Sequence, residues 1–195
     1  MSAFTIYLSA VERALSRGDA TEHTHRPALK TLVESFGKNV AATNEPKRGS
    51  FGAPDYLVTI GDIPAGHIEA KDVGVDLDKV ADSEQLARYR EGLTNLLLTD
   101  YLAFRWYRDG AQTLGTAVIA RRDGKGKLQA NPDGINAATE MIEAFLAARP
   151  PMVNTPKELA QRMARIARMM REAIASTLAV EKGDGPLTAQ MEGFR

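Results

Sequence analysis

Apolar positions in this chain switch between two periods, and the switches outline its elements. Within residues 3–17, Phe4, Ile6, Tyr7, Leu8, Val11, Ala14 and Leu15 settle into helical spacing, and Gly18 offers a stop. Residues 25–36 carry Leu29, Leu32, Val33 and Phe36 as one stripe of a second amphipathic helix. Thr24 is the expected cap and Pro27 is expected in the first turn, where a missing N–H costs little. Gly37 ends that helix. The period then shortens. Residues 39–43 read as a strand, 44–53 as a Gly-, Pro- and charge-rich loop, and 55–60 and 65–71 as two strands joined by Gly61-Asp62-Ile63-Pro64. A helix is expected over 79–91, with Val80, Leu86 and Tyr89 apolar. A buried strand is expected over 95–99, and a hairpin over 102–107 and 112–120 turning at Asp109-Gly110. Alternation in 102–107 sets Phe104 and Trp106 on one core-facing side. Residues 121–127 read as a polar connector. A helix follows over 134–148 and stops at Pro150-Pro151. One long helix spans 155–180 with Leu159, Met163, Ile166, Met170, Ile174 and Leu178 as a packing stripe, and the tail after Gly183 reads as disordered.

This order predicts an α/β chain with a mixed central β-sheet flanked by helices and a C-terminal helical extension. The expected division is a core over 1–130 and a helical extension or linker over 131–195. A length of 195 residues suits one such core. There is no internal repeat. No apolar run of membrane-spanning length occurs, and the N-terminus lacks the basic and apolar regions of a signal peptide, so a cytoplasmic home is expected. The absence of cysteine excludes disulfides, thiolate nucleophiles and cysteine-bound zinc. Lys plus Arg number 25 and Asp plus Glu number 25, a net charge of zero. Phosphate neutralisation supplies most non-specific affinity for nucleic acid. A neutral chain therefore suits chemistry on DNA gripped by another domain better than autonomous binding.

The chemistry concentrates on Pro54-Asp55 and Glu69-Ala70-Lys71. If Ile60 pairs with Ala65, Tyr56 falls opposite Glu69 and Asp55 lies one residue out of register; a bulge or bend at the strand start brings the carboxylates to one side. Glu69 and Lys71, two apart, share a strand face, while Ile68 and Ala70 point to the core. Two carboxylates across a strand pair repel, and a divalent cation removes that cost. Oxygen donors suit Mg2+, which keeps waters and accepts phosphate oxygens. A lysine beside them can orient water and stabilise charge developing on phosphate. Mn2+ is an expected substitute.

This arrangement resembles the PD-(D/E)xK nuclease superfamily, in its Mrr- and RecB-like branch. The resemblance implies that Asp55, Glu69 and Lys71 are catalytic, with Asp55 and Glu69 on the metal. It also implies a further acidic residue near the metal on the preceding helix, Glu34, and a Q-x-x-x-Y element, Gln85 and Tyr89, near the site and DNA. HTHRPALKTLVES, ATNEPKRGSFGAPDYLV, GHIEAKDVGVDLD, SEQLARYR and NLLLTDYLAFRWYRDG are similar to the N-terminal nuclease region of type ISP and IIG-like single-chain restriction–modification enzymes, over about residues 20–120. Such enzymes fuse the nuclease to an adenine-N6 DNA methyltransferase. The implied partners are double-stranded DNA, downstream methyltransferase and target-recognition domains (with an ATPase in the ISP form), and a second nuclease domain for double-strand cleavage. This chain carries no Walker motif and no methyltransferase signature. Two alternatives stay open: a non-cleaving DNA-positioning or interaction module that keeps the fold, and a nuclease acting on RNA or on DNA ends.

Other residues read more plainly. His23 and His25 fit a polar capping segment better than a metal pair. Asp72 fits a hydrogen-bond acceptor in the turn after Lys71. Lys47 and Arg48 fit phosphate contacts or an ordinary charged loop. Arg121, Arg122, Lys125 and Lys127 fit a solvated connector.

Overall fold

A computed structural model describes residues 2–18, 20–44, 54–124, 126–148 and 155–180. Lys47, Arg48, Lys125, the Pro150-Pro151 stop and the tail after Gly183 lie outside these residues. Two helices come first, α1 (Ala3–Leu15) and α2 (Glu22–Glu34). Strands β1 (Val40–Asn44), β2 (Tyr56–Ile60) and β3 (Ile63–Ala70) follow, then α3 (Leu77–Ala81) and α4 (Glu84–Gly92). Next come β4 (Asn95–Thr99), β5 (Ala103–Arg108), β6 (Ala111–Gln112), β7 (Ala117–Val118), β8 (Ala120–Arg122) and β9 (Leu128–Ala130). Helices α5 (Pro132–Ala147) and α6 (Pro156–Val180) complete the described chain.

The main sheet runs β1-β2-β3-β4-β5-β6, with β7 also on β5. It is mixed: β3 and β4 are parallel and the other pairs antiparallel. Parallel neighbours need a crossover, which α3 and α4 supply. The fold is α/β, a mixed central sheet flanked by helices.

The sheet buries both faces, against different helices. Tyr56, Val58, Ile68, Ala70, Leu97, Phe104 and Trp106 join α1, α2 and α5 in the main core. Leu96, Leu98 and Tyr107 face the other way and pack with Leu77, Leu86 and Tyr89 of α3 and α4. A strand buried on both faces needs apolar residues at every position, and β4 is buried throughout. Its two polar residues, Asn95 and Thr99, are both hydrogen-bonded. Asn95 Nδ2 donates to the Ala65 and Phe145 carbonyls at 2.7 and 2.9 Å, and Trp106 Nε1 donates to Asn95 Oδ1 at 2.6 Å. One side chain thus ties β3, β4, β5 and α5. Gly66 allows this approach, since a Cβ there would lie 2.6 Å from Phe145 Cε2.

Several boundaries differ from expectation. Helix α2 starts at Glu22 behind Thr21, whose N–H donates to Thr24 Oγ1 at 3.0 Å. His23 and His25 therefore lie inside the helix, and Pro27 lies beyond its first turn. The helix expected over 79–91 is two helices, because Asp76 and Ser83 each cap a new start through Asp78 N and Leu86 N. The strand expected over 112–120 is broken into β6 and β7, and Arg121 and Arg122 of the expected connector belong to β8, which pairs with β9 in a separate two-stranded sheet. Helix α5 begins past residue 130 yet places Ala138, Met141, Ile142 and Phe145 in the main core, so the packed unit extends to Ala148. Helix α6 touches it at α4, with Met169 against the second cluster, while Leu159, Met163, Ile166 and Met170 are exposed. No described helix is long and apolar enough to cross a membrane.

Replacing Asn95 by Leu removes the side-chain partner of the Ala65 carbonyl and of the Trp106 indole N–H in the interior, while the Phe145 carbonyl keeps the Ala148 N–H. Each such buried group costs about 1–3 kcal/mol, so Asn95→Leu is expected to lose at least about 2 kcal/mol in urea unfolding. The single tryptophan, Trp106, is the reporter. An unchanged midpoint would refute the role of this side chain.

Candidate active site

The hairpin register decides where the carboxylates meet. Ile60 pairs with Ile63, not with Ala65, around a two-residue turn in which Gly61 has φ +59°. Glycine adopts that conformation freely. The register then shifts between Val58 and Thr59: Thr59 pairs with Pro64 and Val58 with Gly66, leaving Ala65 as the extra residue. Pro64, which lacks an N–H for the ladder, sits beside this irregularity, a placement proline tolerates. Beyond the bulge Tyr56 pairs with Ile68, so the next positions, Asp55 and Glu69, oppose one another. The bulge lies on β3 near the turn rather than at the start of β2.

Asp55, Glu69 and Lys71 lie on the α4 side of the sheet. Lys71 Nζ donates to Glu69 Oε1 at 2.6 Å and to Gln85 Oε1 at 3.1 Å. Gln85 Nε2 donates in turn to the Tyr89 hydroxyl at 3.1 Å. The four-residue spacing of Gln85 and Tyr89 sets both on one face of α4. Asp55 Oδ1 accepts from Arg26 at 2.5 Å and Oδ2 from Ala70 N at 2.8 Å. Five of the expected site residues thus form one connected group.

Burial makes this group electrostatically tense. The Glu69 side chain is 4% exposed. Loss of hydration, and then the facing Asp55, push its carboxyl up to about 7, although Lys71 pulls it down. Burial, reinforced by Glu69, pushes the Tyr89 hydroxyl up to about 12, so the group that accepts from Gln85 stays neutral. The two carboxylates supply hard oxygen donors on one side, and a divalent cation there would relieve both repulsion and lost hydration. They fit magnesium, which fills its other positions with water and substrate oxygens. Among the described residues there is no cluster of three metal-ligating His, Cys, Asp or Glu.

Glu34 is not part of this group. It pairs with Lys30 at 2.5 Å and accepts from Ala42 N at 3.0 Å, fastening α2 to β1. Burial raises its carboxyl, but these bonds outweigh burial and leave it below the usual value. His25 is a core residue, 2% exposed, with its ring 5.1 Å from that of Tyr101. Tyr101 has φ 70° and is held by Tyr7, whose hydroxyl donates to its carbonyl at 2.9 Å. Asp100 braces the same corner, accepting from Leu102 N, Ala103 N and Gly74 N, the last in the loop that follows Lys71.

Against known proteins, no family model matches this chain and no curated protein matches it. Among solved structures, a cryo-EM structure of a DrdV–DNA complex is similar, with a TM-score of 0.57 and 16% identity. The match covers 76% of this chain and 14% of that one. At this identity the likeness is one of fold.

Arg26 escaped the motif-based reading, though a signal was present. It falls three and seven residues before Leu29 and Val33, so a cation stands on the buried stripe of α2. Its 6% exposure follows from that register. Tyr56 fixes the backbone there by donating to the Arg26 carbonyl at 2.8 Å.

The raised Glu69 value has a thermodynamic consequence. Between about pH 4.5 and 7 the folded state holds this proton and the unfolded chain releases it. In EDTA, stability should therefore fall as pH rises through that window and level off above it. Glu69→Gln is expected to remove this part of the slope in urea unfolding. Equal slopes for the two proteins would show that Glu69 is not raised.

Proposed function

We propose that this chain is a metal-dependent DNA endonuclease domain, the cleavage module of a restriction–modification polypeptide. The observation that carries the reading is the convergence of Asp55, Glu69 and Lys71 on one sheet face, with Lys71 anchored through Gln85 to Tyr89. The solved neighbour of the same fold is a DNA complex, which supports DNA as substrate. The neutral net charge supports a cutting module that relies on other domains of its polypeptide for target recognition.

Asp55 and Glu69 would hold Mg2+. When bound, that ion supplies activation of water and neutralisation of phosphate charge. Lys71, bonded to Glu69, would orient the attacking water and stabilise the pentacovalent transition state. Gln85 is a positioning residue that holds Lys71, and Tyr89 holds Gln85. Arg26 and the Ala70 N–H fix the direction of the Asp55 carboxylate.

A second reading is a non-cleaving DNA-positioning module. The observation that favours it is the Arg26–Asp55 pair, which already neutralises one carboxylate without a metal.

In the intact enzyme, Glu69→Ala and Lys71→Ala should each reduce cleavage of supercoiled DNA by at least about 10³-fold with binding and fold retained. Gln85→Ala, which only loosens Lys71, should cost up to about 10²-fold. Persistent cleavage by the first two variants would overturn the assignment. A cleaving site should also be stabilised by Mg2+, by about 2.7 kcal/mol at 100 times Kd, and Glu69→Ala should lose that gain. The non-cleaving reading expects neither nicking nor a magnesium shift.

A further inference from the structure

Beside the carboxylate pair, α2 and the end of β1 enclose a cleft of about 240 Å3 lined by His23, Arg26, Pro27, Lys30, Asn44 and Tyr56. Positions 23, 26, 27 and 30 are spaced three, four and seven apart, so one face of α2 forms a wall. Arg26 and Lys30 bring cationic groups to the lining, His23 and Asn44 add N–H donors, and among the described residues no carboxylate lines the space. The acids that pair with those cations are not lining residues. Asp55 holds Arg26, and Glu34, one turn further along α2, holds Lys30. Arg26 is the shared wall. It donates to Asp55 Oδ1 and, at 3.2 Å, to Asn44 Oδ1, while lining the cleft.

We propose that this cleft is a phosphate subsite, taking a backbone phosphate of DNA that flanks the one being cleaved. The proposal rests on the nuclease reading above. A space lined by donors, with no carboxylate among its described lining residues, matches the acceptor oxygens of a phosphodiester. Contact through Arg26 sets that phosphate next to Asp55, so a strand seated here has its register fixed relative to the carboxylate pair. Phosphate contacts of this kind position a strand without reading its sequence.

The test uses the intact enzyme, as in the cleavage assay above, and a DNA duplex of about 20 base pairs in EDTA, with affinity measured across a salt series. Each phosphate contact contributes about 0.9 to the slope of log K against log salt, which at 0.1 M salt is about eight-fold in affinity. Lys30→Gln should lower the slope by about one contact and weaken binding by about that factor, and Lys30→Arg should restore both. His23→Glu, which sets a carboxylate in the cleft at an exposed position, should weaken binding by repelling the phosphate. Arg13→Glu, an exposed reversal on α1 outside the cleft, should leave the slope unchanged. Trp106 fluorescence checks that each variant is folded. Unchanged affinity for His23→Glu with an unchanged slope for Lys30→Gln, an equal loss for Arg13→Glu, or no duplex binding by the wild-type enzyme would overturn the subsite. Failure of the nuclease reading looks different: duplex binding sensitive to His23, with no metal-dependent cleavage.

Discussion

Two carboxylates brought face to face in a poorly hydrated corner are the constraint around which this structure is arranged. Asp55 and Glu69 oppose one another because a single extra residue, Ala65, shifts the β2–β3 register. Without that shift one of them would turn towards the main core. Once they meet, charge repulsion and lost hydration must be answered by neighbours. Arg26 answers from α2, Lys71 from the end of β3, and the Ala70 N–H from the backbone between. None of these partners is adjacent in sequence to all the others, so the sheet and its two helical layers exist partly to deliver them.

That delivery explains the division of labour between the faces of the sheet. The face covered by α1, α2 and α5 carries the larger core and gives a rigid backing, tied through Asn95. The face towards α4 carries the smaller core together with Lys71, Gln85 and Tyr89. A bonded series from Glu69 to Tyr89 holds the lysine by two acceptors, which restricts its flexible stem more than one contact would. Under the proposed function, this fixed ammonium is the part of the chain that meets developing charge, and the remaining groups keep it there.

The motif was readable from residue types and spacing: Pro-Asp, a short interval, then Glu-x-Lys, with Gln-x-x-x-Tyr on the next helix. The hairpin and the buried strand β4 were also legible, because alternation and unbroken apolar runs are local signals. Other features were not. The register shift at Val58 and Thr59 follows from how Pro64 and Gly66 accommodate α5 and the turn, and no periodicity encodes it. The split of the helix after Lys71 depends on Asp76 and Ser83 acting as caps, a signal weaker than the apolar spacing that runs through them.

What the sequence alone determined is which groups are available: two carboxylates and a lysine on strands, an amide and a phenol four apart on a helix, no cysteine, no net charge. Their identities and local spacing set the chemistry they can perform. Only the tertiary structure decided which of them meet. It gave Glu34, expected near the metal, to Lys30 and the Ala42 N–H, and it brought Arg26, from a stripe that reads as core, to Asp55. The physical reason is that a charge on a buried helix face must find a partner across space, and that choice depends on which strand the helix packs against.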